Sequence, residues 1–396
     1  MRILFANDGL RDAGGVQSYL TAVTEGLIRR GHQLAFLHCQ STDVNQSSLS
    51  GESFPHFSTA HGGVEGALKH VNEFAPDVCY SHNMNDLKLE QVLLDSFPVV
   101  KFMHGYFGTC ISGLKTHHFP SPTPCARTFG KACLLYYFPR RCGEFSAIKM
   151  IEHYQWSNQQ QQLFRRYAAM VVASSHMKHE FVANGMDGSK VHVNPLFSAT
   201  VTDHSNGSGP AQPCVLFVGR MTKLKGGDVL VRAVSEASKR IHHSIQLVMV
   251  GDGPQRAEWE QLALGLGVQA HFTGWLDDEL ELARRFKEAS VLAVPSLWPE
   301  PFGLVGLEAA KFGVPAVAFD VGGIPSWLDD GKNGVLVPLR NGGHEHLGRA
   351  LAEMFSDAER LSMMGRAARS KSAEMSLEKH LDQLEEILSR ASAANN

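Results

Sequence analysis

Residues 294–323 read "VPSLWPEPFGLVGLEAAKFGVPAVAFDVGG", and their pattern sets the fold class. The apolar run "SVLAVPS" enters the stretch, "GLVGLEAAKFG" has helical spacing, and "VPAVAFD" is a second apolar run. A buried strand, a helix and another buried strand make the βαβ unit of a parallel sheet. The helix is expected to end at Gly313, where a glycine cap fits. Two acids interrupt this apolar stretch, Glu300 in the loop and Glu308 about one turn into the helix. A lone buried carboxylate is expensive, so each needs partners. Between them, the amides of Gly303, Leu304 and Val305 open the helix and form an anion site. Taken singly, Glu300 also reads as a helix cap and Glu308 as a helix-surface residue.

The same alternation extends in both directions. Around the opening stretch, residues 214–376 carry the runs "CVLFVGR", "IQLVMVGDGP", "VQAHFTG" and "GVLVP". Residues 1–197 carry "RILFAN", "HQLAFLHC", "PDVCYS", "FPVVKFMHG" and "YAAMVVASS". Between the two series lies "SATVTDHSNGSGPAQP", residues 198–213, whose polar and Gly/Ser/Pro-rich composition reads as a linker. Residues 377–396 close the chain as a helix. The expected class is therefore α/β, two Rossmann-like doubly wound domains facing across a cleft where ligands bind.

Composition agrees with a soluble enzyme. Of 396 residues, 43% are apolar and 19% charged, which excludes a disordered or coiled-coil chain. A net charge of −3 gives no basic field for nucleic acid. No apolar run reaches the ~18 residues of a membrane span, and "MRILFAND" lacks a signal-peptide layout. A cytoplasmic protein is expected.

Three further motifs carry chemistry. In "FVGRMTKLKGG", Arg220 and Lys225 flank a strand-to-helix loop, an arrangement suited to a diphosphate, although a solvated basic loop fits as well. The P-loop spacing is absent. "VMVGDGPQRAE" begins like a dinucleotide fingerprint, but Arg256 stands where the third glycine belongs, which argues against a dehydrogenase. A tight turn and a nucleotide contact both remain open for Gly251 and Gly253.

Together, in order, Gly-Arg…Lys-Gly, Val-Gly-x-Gly, "FTGWL", the Glu-x7-Glu pattern "EPFGLVGLE" and "DVGGIPSWLDDGKNGVLVP" resemble the retaining glycosyltransferases of family four across residues 214–338. More weakly, "AGGVQSYL" resembles that family's glycine-rich first loop and "MHG" its histidine loop. The resemblance implies a GT-B fold, often with a final helix crossing back to the N-terminal domain. It implies that Arg220 and Lys225 hold the donor's diphosphate, that Glu300 contacts the transferred sugar, and that Glu308 contacts the ribose. Gly303, Leu304 and Val305 would offer amides, Gly14 and Gly15 would close over the diphosphate, and His104 would approach the sugar. A nucleoside-diphosphate hexose, UDP-linked in preference to GDP-linked, is the implied donor, with front-face attack assisted by the leaving phosphate. The acceptor would be a saccharide or lipid-linked intermediate of polysaccharide or glycolipid assembly. No Asp-x-Asp occurs, so no metal is expected to be required for catalysis.

Two rival readings use the same architecture. A sugar-nucleotide epimerase would not release nucleoside diphosphate with a glycosylated acceptor. A non-catalytic sugar-nucleotide module would not hydrolyse the donor, and the presence of Arg220, Lys225, Glu300 and Glu308 argues against it.

Residues 105–145 read as an insertion that shapes the acceptor side. It holds four of the seven cysteines, Cys110, Cys125, Cys133 and Cys142. Four thiolates can complete a closed tetrahedral zinc site, yet no Cys-x2-Cys knuckle is present. Structural zinc, free thiols and oxidised pairs therefore stay open. Its Lys115, Arg127, Lys131, Arg140 and Arg141, among Tyr136, Tyr137 and Phe138, suit either a solvated rim or peripheral contact with a membrane surface.

Overall fold

A computed structural model describes residues 1–9, 15–39, 54–60, 62–199, 212–340 and 342–393. The chain divides into two compact units, one of residues 1–115, 126–199 and 377–396, the other of residues 116–125 and 200–376. The 105–145 insertion is thus not one body. Its middle, residues 116–125, groups with the second unit, and the final helix groups with the first. Among the described residues, no helix is long and apolar enough to cross a membrane.

In the first unit, strands β1 (Arg2–Ala6), β2 (Gln33–His38), β3 (His56–Ser58), β4 (Val78–Ser81) and β5 (Val99–Met103) alternate with helices α1 (Gly15–Arg29), α2 (Gly63–Phe74) and α3 (Leu87–Ser96). The short pair β6 (Thr116–His117) and β7 (Thr123–Pro124) leaves for the second unit. The first then resumes with α4 (Ala132–Tyr136), α5 (Ala147–Leu163), β8 (Ala169–Val172), α6 (Ser175–Ala183) and β9 (Val191–Val193). The sheet order is β3-β2-β1-β4-β5-β8-β9, all parallel. Its central strands are covered on both faces, which explains their unbroken apolar runs.

The second unit repeats the plan. Strands β10 (Cys214–Val218), β11 (Gln246–Val250), β12 (Ala270–Gly274), β13 (Val291–Val294), β14 (Ala316–Phe319) and β15 (Gly334–Val337) form a parallel sheet in the order β12-β11-β10-β13-β14-β15. Helices α7 (Gly227–Ile241), α8 (Arg256–Gly265), α9 (Glu279–Glu288), α10 (Val305–Lys311), α11 (Gly343–Ser356) and α12 (Ala358–Glu374) join and cover it.

The last helix, α13 (Leu377–Ala393), is fastened to the first unit by apolar and polar contacts. Leu381, Leu384 and Leu388 are fully buried in that core, and Leu381 rests where a side chain at Gly26 would collide. Arg30 donates to Glu378, Asp382 and Glu385 on successive turns. His380 Nδ1 lies 2.8 Å from the Pro195 carbonyl and must donate to it. Its Nε2 therefore accepts from the Tyr19 hydroxyl at 2.9 Å, leaving the Tyr80 hydroxyl to donate to Tyr19 at 2.7 Å. Burial keeps this imidazole neutral, with its pKa pushed down to about 4.

Candidate active site

In the second sheet, strands β10 and β13 are neighbours although two strands, β11 and β12, lie between them in sequence. Chain direction across the sheet reverses there, and the loops leaving both strands open a crevice at their C-terminal ends. The first loop carries Gly219, Arg220 and a 3-10 turn at Lys223–Lys225. The second carries residues 295–304. Gly226 lies at φ 68, and a side chain on it would strike the Pro295 carbonyl oxygen at 2.0 Å. Only glycine allows that approach, which carries Lys225 up to Glu300.

Glu300 is 5% exposed, and three donors converge on one of its oxygens. Lys225 Nζ donates to Oε1 at 2.7 Å, Ser296 Oγ at 2.6 Å and Trp298 Nε1 at 2.8 Å. The Lys225 ammonium also stands 5.7 Å from the Trp298 ring centre, within cation–π range. Below, Gly323 N donates to the Glu300 carbonyl at 2.6 Å, and Gly322 at φ 59 leaves the room a side chain would take from the Glu300 backbone. Sequence reasoning placed Lys225 on a diphosphate and missed Ser296 and Trp298. Their positions four and two residues before Glu300 in "SLWPE" are the local signal that they reach its carboxylate.

Glu308 has no such support. It lies partly buried in the first turn of α10. Desolvation pushes its carboxyl up to about 7, and the Lys311 ammonium only partly opposes this. Between the two acids, Gly303, Leu304 and Val305 lead into α10, so their amides precede the first intrahelical bonds, which start with Gly306 N and Leu307 N. Trp327 braces this loop by donating to the Phe302 carbonyl at 2.7 Å. Arg220, on the first loop, is exposed. Gly251 and Gly253 belong to a turn locked to that loop, since Met221 N donates to the Asp252 carbonyl at 2.8 Å.

In the first unit the reversal falls between β1 and β4. Asp8 N donates to the Asn83 carbonyl at 2.9 Å, tying the two loops together. His104 follows β5, with its Nε2 3.0 Å from His82 Nδ1. Burial, assisted by Lys101, pushes the His104 pKa down to about 3, so one neutral imidazole donates to the other. Gly15 opens α1. Gly14 lies outside the described residues.

The four cysteines read as a zinc set are not gathered into a metal-holding group among the described residues. Among the described residues, no three His, Cys, Asp or Glu side chains are grouped to hold a metal, and no cysteine pair is a disulfide. Cys125 belongs to the second unit and the other three to the first. Cys142 sits in a small apolar cluster with Ile111, Phe129 and Tyr137, and Cys133 packs at its edge. Cys133 and Cys142 are packing residues.

Comparison with known proteins agrees with this geometry. Residues 201–371 match the family model for glycosyl transferases group 1. A D-inositol 3-phosphate glycosyltransferase of Nocardia farcinica is 37% identical over 168 residues, 40% of this chain and 36% of that protein. The chain therefore matches well under half the length of such relatives. Among solved structures, sucrose-phosphate synthase of Thermosynechococcus elongatus superposes over 99% of both chains with a TM-score of 0.71 at 18% identity. Anabaena HepE, solved with UDP and glucose, does so over 98% of this chain and 99% of its own, with a TM-score of 0.65 at 18% identity. The fold is GT-B.

Glu308 gives the site a measurable pH signature. Between pH 4.5 and about 7 it is ionised when unfolded but protonated when folded. The unfolded state then binds fewer protons, so stability falls as pH rises through that window. Glu308→Gln should raise Tm at pH 8 and leave it unchanged at pH 4. Equal Tm values at pH 8 would contradict the raised carboxyl.

Proposed function

We propose that the chain is a retaining glycosyltransferase that moves a hexose from a nucleoside-diphosphate sugar, with UDP preferred, to a saccharide or lipid-linked acceptor in polysaccharide or glycolipid assembly. The observation that carries this reading is the Glu300 cluster at the reversal point of the second sheet. As the bond from the anomeric carbon to the diphosphate breaks, positive charge develops on the sugar. A carboxylate held by Lys225, Ser296 and Trp298 is already oriented to favour it. Arg220, with Lys225, offsets the charge of the departing diphosphate. The acceptor oxygen bonds to the anomeric carbon on the face that the leaving group vacates, and its proton passes to the departing phosphate oxygen. His104, neutral across the physiological range, suits a hydrogen bond to a sugar hydroxyl and not acid catalysis. Glu308 accepts from the ribose hydroxyls, which favours its ionised form. These cationic groups make a divalent metal unnecessary.

The two acids should fail differently. Glu300 helps most in the transition state, so Glu300→Gln should lower kcat of UDP-glucose hydrolysis by about 10²–10³ with little change in donor KM. Glu308 binds ground and transition states alike, so Glu308→Gln should mainly raise KM, by the about 1.5–3 kcal/mol of a charged hydrogen bond. Wild-type rates should persist in EDTA. Near-normal kcat in Glu300→Gln, or loss in EDTA that Mg²⁺ restores, would defeat the assignment.

We also propose that the first unit touches an anionic membrane surface through the α4–α5 region. There Leu135, Phe145 and Ile148 are 77%, 86% and 71% exposed, and Arg140 and Arg141 are exposed alongside. Apolar side chains would enter the interface while the arginines meet anionic headgroups. Co-sedimentation with phosphatidylglycerol vesicles should exceed that with phosphatidylcholine and be lost in Phe145→Ser/Ile148→Ser. Equal sedimentation of variant and wild type would exclude this surface.

A further inference from the structure

The second unit holds a cavity of about 680 Å³, a volume typical of small-molecule sites, whose lining includes Lys223, Leu297 and Val321 from the loops around the Glu300 cluster. Its floor is the C-terminal rim of β14 and β15, at Phe319 and Pro338. The β6–β7 hairpin also lines it, through Pro120, Pro122 and Pro124. The sequence marks this hairpin only as part of an insertion. Its grouping with the second unit gives it a role as a wall.

The lining combines cationic, anionic and apolar groups, and that combination limits the ligand. Lys223 and Arg340 supply donors, Asp228 and Asp320 supply acceptors, and prolines with Leu297 and Val321 supply apolar faces. A lipid chain would strand four charges, and a bare anion would meet two carboxylates. A sugar suits all three classes of group, because its hydroxyls both donate and accept while its C–H faces pack on apolar rings.

Position says which sugar. Leu297 directly follows Ser296, which bonds Glu300. Val321 directly precedes Gly322, which lies under the Glu300 backbone, and Lys223 opens the turn that ends in Lys225. The loops that hold Glu300 are therefore also a wall of the cavity. We infer that this cavity binds the saccharide portion of the acceptor, placing it against the reacting centre. The inference rests on the glycosyltransferase reading above, and it narrows the acceptor to one with a carbohydrate part of about disaccharide size.

The probes are lactose, cellobiose and N,N′-diacetylchitobiose, followed by saturation-transfer NMR on the full chain with saturating UDP. At least one should bind, and Asp320→Ala and Arg340→Ala should each weaken it by about tenfold, the effect of losing one charged hydrogen bond. Both side chains are exposed, so their loss should spare the fold. The thermal shift given by UDP should stay unchanged in both variants. Binding by none of the three sugars, or binding that neither substitution alters, overturns the inference. A wild type that UDP does not stabilise would instead overturn the donor reading.

Discussion

One carboxylate oxygen, Glu300 Oε1, takes an ammonium, a hydroxyl and an indole N–H, all within 2.8 Å. A carboxylate this buried is tolerable only with such partners, since leaving a buried charge unpaired costs about 3–5 kcal/mol. Meeting that requirement dictates the surroundings. Lys225 reaches Glu300 because Gly226 slides under Pro295, and the Glu300 backbone sits low because Gly322 yields space. Both loops start from adjacent strands at the place where the sheet reverses direction. The parallel sheet thus brings distant residues, 75 apart in sequence, to one point.

The neighbouring acid is treated in the opposite way. Glu308 is given little compensation for its desolvation, and its carboxyl titrates near neutrality. Two carboxylates eight residues apart thus meet different surroundings, one held by three donors and the other left with little to offset its desolvation. Glu308 stores a cost that a hydroxyl-bearing ligand can relieve, whereas Glu300 is already satisfied and pre-oriented. In the proposed function, where Glu308 meets the ribose, such a cost would be the ordinary trade of stability for function.

Most of the fold was legible because parallel strands covered on both faces must be continuous apolar runs, and "CVLFV", "VLAV" and "AVAF" are nothing else. Glu300 and Glu308 were legible as a loop residue and a helix residue for the same reason. The Lys225–Glu300 pair was not, because it depends on a backbone approach at Gly226 that no local spacing encodes. Clustering in sequence also misled. Cys110, Cys125, Cys133 and Cys142 fall within 33 residues of chain, yet residues 116–125, with Cys125, group with the second unit and the other three cysteines with the first. The hairpin's role as a cavity wall was hidden by the same excursion.

The central claim is that Lys225 and Glu300 act as one unit, and a double-mutant cycle tests it most directly. Donor hydrolysis of UDP-glucose would be measured for wild type, Lys225→Met, Glu300→Gln and the double variant. The account predicts strong non-additivity, with a coupling of about 1–3 kcal/mol in kcat/KM. Effects that add to within about 0.5 kcal/mol would show that the two residues work independently, and would contradict it.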